Sequence, residues 1–278
     1  MKDFKNIGKD VGGNEKEKCN YTFRLDTYGC GCQHDCKYCY AKSLLDFRKL
    51  WHPESPSVGD IKKITGTIKK LDGDVVRLGG MTDCFQPLEK LHRVTYKTIM
   101  QLNRRKIPYL IVTKSAMVAD DEYLRLLDKD LAHIQITVTT LDDDFSMSYE
   151  KASVPSERIK AILKLQDAGF DVQMRLSPYI PDFINAKDVK KYGINKGIVE
   201  FLRVNGWISK WFDIDYSEYR VKQNGYLHLP LEKKIQYIEQ VDCFDQLSVC
   251  EDEDKAYEYW KNNVNYNPED CCNLRRSQ

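Results

Sequence analysis

Runs of β-branched and aromatic residues alternate with helical patterns along most of this chain, and that alternation restricts the fold more than any other feature. Tyr21–Leu25, Val75–Leu78, Tyr109–Thr113, His133–Thr139, Val172–Leu176 and Ile198–Leu202 read as six strands. Between them, Leu91, Val94, Ile99 and Leu102 fall near helical spacing over Leu88–Leu102, and Asp120–Leu127 reads as a second helix. Pro155 opens a third, with a stripe of Ile159, Ile162, Leu163 and Leu165 that stops at Gly169. Parallel neighbours need a long crossover, so strands alternating with helices point to an α/β protein with a parallel sheet and helical cover. A complete barrel, a partial barrel and an open doubly wound sheet all satisfy the pattern. Six units fit the length best as a partial (β/α)6 TIM-like barrel.

A chain of 278 residues, 42% apolar and 31% charged, can bury one full core and carry an appended segment. We expect a polar leader over residues 1–20, the barrel over 21–205 and an α-rich carboxy-terminal cap over 206–278. The cap is marked by Trp207, Trp211, Phe212, Tyr216, Tyr219 and Tyr226 close together among charges. Apolar runs such as Tyr109–Val112 fall far short of the roughly 20 residues a membrane helix needs, and Met1–Lys18 is charged throughout. No membrane partner is expected, and a cytoplasmic location follows. There thiols stay reduced, so the ten cysteines are candidate metal ligands rather than a disulfide framework. The formal charge of +1, from 43 basic and 42 acidic residues, excludes a global attraction to a phosphate backbone, and any nucleic-acid contact must be local.

The chemistry is concentrated in Tyr28-Gly-Cys-Gly-Cys-Gln-His-Asp-Cys-Lys-Tyr-Cys-Tyr-Ala41, where Cys32, Cys36 and Cys39 follow the spacing C-x3-C-x2-C. Three thiolates on one tight loop can hold three irons of a cubane cluster and leave the fourth open to a small chelating molecule. The loop follows the first predicted strand, which puts it at the carboxyl end of the barrel, where active sites of such folds lie. A zinc site is the alternative; it needs four protein ligands, and Cys30 or His34 could supply the fourth.

This motif resembles that of the radical S-adenosylmethionine superfamily, with Tyr38 as the aromatic before the last cysteine. Thr82-Asp83 with Gln86-Pro87 and Glu89, Thr113-Lys-Ser115, Thr139-Thr-Leu-Asp142 and Pro155-x2-Arg158 are similar to its spore photoproduct lyase-like, or DNA repair photolyase-like, branch. The resemblance runs over roughly Tyr28 to Pro181. It implies a [4Fe–4S] cluster on Cys32, Cys36 and Cys39, with Tyr38 near the adenine of S-adenosylmethionine. It further implies that Gly79 and Gly80 meet the amino group of that cofactor, that Lys114 lies near its carboxylate, that Thr137 or Thr139 bonds its ribose, and that Arg175 approaches the carboxylate or the substrate. Glu150 and Arg158 read as a bracing pair around Pro155.

The implied activity is reductive cleavage of S-adenosylmethionine to a 5′-deoxyadenosyl radical, fed by an electron donor such as flavodoxin or ferredoxin. That radical takes hydrogen from a substrate, which the branch suggests is a thymine-type base in DNA or a modified nucleotide. A free nucleotide or small metabolite, and a non-enzymatic metal or iron–sulfur nucleic-acid-binding module, are the alternatives. Cys84 lies beside Asp83, on the loop where the lyases carry a hydrogen-donating cysteine, but displaced from their position; Tyr38 and Tyr40 match residues that assist hydrogen return there. Near the carboxy terminus, Cys250, Cys271 and Cys272, with Cys243, are candidates for a second cluster or metal, although adjacent cysteines diverge on an extended backbone.

Overall fold

The computed structural model of the chain describes residues 8–12, 17–73 and 75–274; the rest of the expected leader lies outside the described residues. Eight strands form one sheet whose spatial order is their order in the sequence: β1 (Gly8–Asp10), β2 (Tyr21–Leu25), β3 (Val75–Leu78), β4 (Tyr109–Thr113), β5 (Ala132–Thr137), β6 (Asp171–Tyr179), β7 (Lys196–Phe201) and β8 (Gln246–Val249). β1 pairs antiparallel with β2, and every later pair is parallel. The sheet ends at β1 and β8 without closing, so the protein is a partial α/β barrel. The six strands expected from the sequence are all present, the first three with the expected ends and the last three with shifted ones; β1 and β8 are additional. Among the described residues no helix is long and apolar enough to cross a membrane.

The two faces of the sheet carry different cores, as the period-two geometry of strands requires. Leu25, Val76, Leu78, Ile111, Ile134 and Ile136 belong to the main core, shared with Ile64 and Ile68 of helix α1 (Ile61–Ile68), Ile99 and Leu102 of α2 (Val94–Arg104), and Ile159, Ile162 and Leu165 of α3 (Pro155–Asp167). Full burial of each such side chain stabilises the fold by roughly 1.5–3 kcal/mol. Tyr21, Leu110 and Ile198 from the opposite face form a separate cluster with Cys271, Cys272 and Leu274, against which Cys19, Val75, Val112 and Cys250 pack. The lumen is also lined by polar groups in series: Gln135 donates to Gln173 at 3.0 Å, and Arg175 donates to Gln135 at 2.8 Å and to Glu200 at 2.6 Å.

The single helix expected over Leu88–Leu102 is instead two, Glu89–His92 and α2, separated by Arg93 in the left-handed region at φ 53°. The physical reason is Glu89. Its fully buried carboxylate accepts from the N–H groups of Thr95 and Tyr96, each at 2.9 Å, and so caps the start of α2. Tyr28 and Tyr123 donate their hydroxyls to the same carboxylate.

The segment beyond residue 206 contributes helices α4 (Leu231–Ile238) and α5 (Asp254–Asn263) and a hairpin of Val221–Gln223 with Tyr226–His228, turned at Asn224-Gly225 with both residues at positive φ. It also contributes β8, so the expected cap and barrel share one sheet. The aromatics expected to mark a separate surface divide. Phe212 packs edge-on against Tyr38 and Tyr149, at 5.5 and 5.6 Å between ring centres, whereas Trp207 is exposed and lies beside Trp211.

Gly197 on β7 is where this last segment docks. A Cβ there would lie 2.2–2.4 Å from the ring of Phe244. Gly197→Ala is therefore expected to destabilise the protein by about 1–3 kcal/mol through overpacking, read as a lower midpoint in urea unfolding.

Candidate active site

A cavity of about 490 Å³ opens at the carboxyl ends of the parallel strands. The cysteine loop forms one side of it: Cys32, Cys36 and Cys39 all line the space. The loop is held by short-range geometry. Asp35 N–H donates to the Cys32 carbonyl and Cys39 N–H to that of Cys36, and Cys39 then caps the helix Tyr40–Asp46, its sulfur accepting from Lys42 N–H at 3.4 Å. It is clamped from outside by Lys37 N–H to the Tyr149 carbonyl at 2.9 Å and Lys151 N–H to the His34 carbonyl at 2.7 Å.

Burial pushes the three thiols above their ordinary range, Cys32 to about 12, with the Asp83 carboxylate adding to the effect there. In that environment the thiolate form needs a bound cation to stabilise it. All three cysteines are free. The two candidates for a fourth ligand are otherwise disposed: Cys30 does not line the cavity, and His34 Nδ1 lies 3.3 Å from Asp83 Oδ2, at ion-pair distance. The donor set thus fits a metal cluster held by three thiolates with one position open, rather than a closed tetrahedral zinc site.

Glu150 ties this loop to the barrel. Its carboxylate is 2% exposed and accepts from the Tyr38 hydroxyl and from Arg158, and Thr139 donates to it at 3.4 Å. Arg158, fully buried, also donates to the carbonyls of Thr137 and Ser153. Burial opposes the Glu150 charge, but the Arg158 and Lys114 cations hold its carboxyl below the usual range. The expected bracing pair is present, and it braces the cysteine loop as well as the start of α3.

Two further carboxylates shape the opposite wall. Asp26, following β2, accepts from the N–H groups of Gly80 at 2.8 Å, Met81 at 3.0 Å and Thr82 at 3.4 Å, although burial still raises its carboxyl above the ordinary range. Gly79 stands at φ 77°, and a Cβ there would meet the Thr82 carbonyl at 2.7 Å, so only glycine allows this turn. Asp83 accepts from Phe85 N–H at 2.8 Å, the Thr113 hydroxyl at 2.8 Å and Lys114 N–H at 2.7 Å. Burial opposes its charge, but His34 and these donors hold the carboxyl at about 2. Asp83 thereby fixes the backbone that presents Lys114, whose ammonium reaches the Ser177 carbonyl at 3.3 Å and lies 5.4 Å from the centre of the Tyr38 ring.

Of the residues expected in the site, Tyr40, Gly79, Gly80, Lys114, Thr137 and Arg175 line the cavity with the three cysteines. Tyr40 donates to the Gly80 carbonyl at 2.5 Å. Three others do not line it. Tyr38 is turned toward Glu150, and Thr139 bonds Tyr149 at 2.9 Å. Cys84 is fully buried in the main core, its sulfur 3.9 Å from the Leu78 carbonyl, so the expected hydrogen-donor position is corrected: the side chain lies behind the loop that faces the cavity. Gln86 and Glu89 are braces, the first accepting from Gln33 N–H at 2.9 Å. The residues missed in the sequence are Asp26 and the ion-paired acids and bases of the far wall, among them Glu200 and Arg203. A carboxylate directly after a strand was the available signal for Asp26.

Compared with known proteins, the pattern of the Radical SAM superfamily matches residues 27–192. An uncharacterized protein of Methanocaldococcus jannaschii is 26% identical over 167 residues, 56% of this chain and 60% of that one. An uncharacterized protein of Acidianus two-tailed virus is 24% identical over 178 residues, 59% of this chain and 58% of that one. The chain spans about three fifths of the length of these curated relatives. Spore photoproduct lyase complexed with dinucleoside spore photoproduct is similar in fold, with a TM-score of 0.65 at 16% identity, over 88% of this chain and 79% of that one. Streptococcus suis SuiB bound to precursor peptide SuiA aligns with a TM-score of 0.57 at 13% identity, over 84% of this chain and 49% of that one.

Removing Glu150 leaves Arg158 charged and buried without its partner. Glu150→Ala is expected to cost about 3–5 kcal/mol in denaturant unfolding, well above the cost of truncating an exposed ion pair such as Lys164–Asp121.

Proposed function

The chain belongs to the Radical SAM superfamily, and from that premise we propose that it holds a [4Fe–4S] cluster on Cys32, Cys36 and Cys39, binds S-adenosylmethionine against it, and acts on a substrate carrying a nucleobase. The observation that carries this reading is the convergence of three thiols from one loop with Lys114, Thr137 and the Gly79–Gly80 edge on one cavity. When bound, the cluster supplies the electron that cleaves S-adenosylmethionine to methionine and a 5′-deoxyadenosyl radical, the agent that takes hydrogen from an unreactive carbon. The chain's own residues bind and orient. The Lys114 ammonium pairs with the methionyl carboxylate in a shielded site, where such a contact is stronger than in water. The Gly79–Gly80 edge, whose Gly80 carbonyl also accepts from the Tyr40 hydroxyl, would meet the amino group, and the Thr137 hydroxyl would be available to the ribose. Arg175 is committed to Glu200 and Gln135, so it shapes the cavity wall in place of meeting the carboxylate.

Charge and ring chemistry support the substrate class. Among the described residues, six cations line the cavity (Lys18, Arg24, Arg77, Lys114, Arg175 and Arg203) against four carboxylates (Asp83, Glu200, Glu251 and Asp252). Arg203 lies over the rings of Tyr40 and Tyr226, and Arg77 over that of Tyr21. An anionic molecule with a flat ring suits such a wall. A base in DNA would have to be swung out of the stack to enter. A free nucleotide is favoured by the net charge of +1, which offers no long-range pull on a polymer. Flavodoxin or ferredoxin is the class of electron donor that such a cluster needs.

Anaerobic incubation with reductant, S-adenosylmethionine and separate pools of DNA, nucleosides and nucleotides tests this, with mass spectrometry of each pool. A mass change in a nucleotide or DNA pool is expected. Formation of 5′-deoxyadenosine with no mass change in any of the three pools would overturn the substrate assignment. Replacing Cys32, Cys36 or Cys39 by Ala is expected to abolish 5′-deoxyadenosine formation, read by liquid chromatography; continued formation in any of the three would remove the cluster assignment. Lys114→Ala is expected to leave the iron content unchanged while weakening S-adenosylmethionine binding by about 1.5–3 kcal/mol in calorimetric titration.

A further inference from the structure

A second group of thiols stands in the barrel lumen, apart from the cysteine loop. Cys250 continues β8 by one residue, its N–H donating to the Val199 carbonyl at 2.7 Å. Cys271 and Cys272 come from a turn: Asn273 N–H donates to the Asp270 carbonyl at 2.9 Å, the Asp270 carboxylate accepts from Leu274 N–H at 2.6 Å, and Asn273 sits at φ 54°. On an extended backbone two adjacent cysteines would point apart; this turn brings both sulfurs to one side. The Cys271 thiol contacts those of Cys250 and Cys272, and the Cys272 thiol contacts Gln135. Cys19, from the segment before β2, packs on the same cluster. Cys271 and Cys272 are 8% and 7% exposed, while Cys19 and Cys250 also line the cavity.

We propose that Cys19, Cys250, Cys271 and Cys272 form a second metal centre, an iron–sulfur cluster seated on the floor of the substrate cavity. Three thiols in contact, with a fourth cysteine packed on the same cluster, drawn from three separate segments, exceed what packing requires, because apolar side chains would fill the lumen without the cost of placing reactive thiols there. The spacing selects the class of centre. Bonds of about 2.3 Å to a tetrahedral zinc ion draw its sulfurs to about 3.8 Å from one another. Among the described residues the one group of three ligand atoms mutually within 4.8 Å is His228, Glu251 and Asp252, and no three cysteines are that close. That acidic group is itself taken up by ion pairs with Lys234 and Arg203. Cys271 touches Cys250 and Cys272, but the three sulfurs are not all mutually within 4.8 Å, as a single tetrahedral ion would require of them. The surroundings suit a cluster as well: Gln135 presents N–H donors, and the Arg175 guanidinium offsets the negative charge that four thiolates bring.

The proposal stands independently of the S-adenosylmethionine reading, and the test separates them. The full-length Cys32→Ala/Cys36→Ala/Cys39→Ala variant, reconstituted anaerobically with iron and sulfide, is expected to keep about half the iron and labile sulfide of the unaltered protein, with a broad absorbance near 400 nm from the second cluster. Adding Cys250→Ser to that variant is expected to remove or strongly shift this signal. Cys250 is half-buried, so the change is compatible with folding, and circular dichroism checks it; Cys19→Ala serves as a second variant at the cavity edge. A folded triple variant that binds no iron, or binds zinc alone, would overturn the proposal. So would an iron signal indifferent to both Cys250→Ser and Cys19→Ala.

Discussion

One buried carboxylate holds the reactive loop to the scaffold. Glu150 receives the hydroxyl of Tyr38 from within the cysteine motif, the guanidinium of Arg158 from the first turn of α3 and the hydroxyl of Thr139 from just past β5. Charges so deep are costly to desolvate, and the pair adds little stability over apolar residues of equal size. What it gives is position. The loop between Cys32 and Cys39 has no regular structure before its final helix, and its placement depends on contacts such as these and on the Phe212 ring packed against Tyr38.

The same device recurs around the cavity. Asp26 gathers three consecutive N–H groups, and Asp83 gathers two N–H groups and a hydroxyl, so the loops after β3 and β4 are fixed from behind by carboxylates. Groups that must meet a ligand are then presented by backbone that has little freedom left, which lowers the ordering cost when the ligand arrives. The far wall is built by opposed charges instead, Arg175 with Glu200 and Arg203 with Asp252.

Much of this was legible in the sequence, and the boundaries of legibility are physical. The residue pattern located six strands because each is rich in β-branched and aromatic residues, the central ones Tyr109–Thr113 and Ala132–Thr137 being buried on nearly every side chain. It did not find Gly8–Asp10 or Gln246–Val249, which are short and take their strand character from neighbours already in place. Spacing located the three cavity cysteines, since one loop brings them together. It did not settle Cys84, because which way a side chain points after a strand depends on the turn at Gly79 rather than on distance in the chain. Nor could it see that the carboxylate of Glu89 would break a helix at Arg93, a long-range arrangement that also uses Tyr28 and Tyr123. Cys271 and Cys272 were read as divergent for want of the Asp270 turn.

The position of β8 has a consequence for how the chain is assembled. Strand β7 is complete well before residues 246–249 are synthesised, and until they arrive it is an edge with an open row of peptide groups and apolar side chains on both faces. Such an edge can recruit another chain as readily as its own continuation. Docking of residues 246–249 on β7 covers that edge.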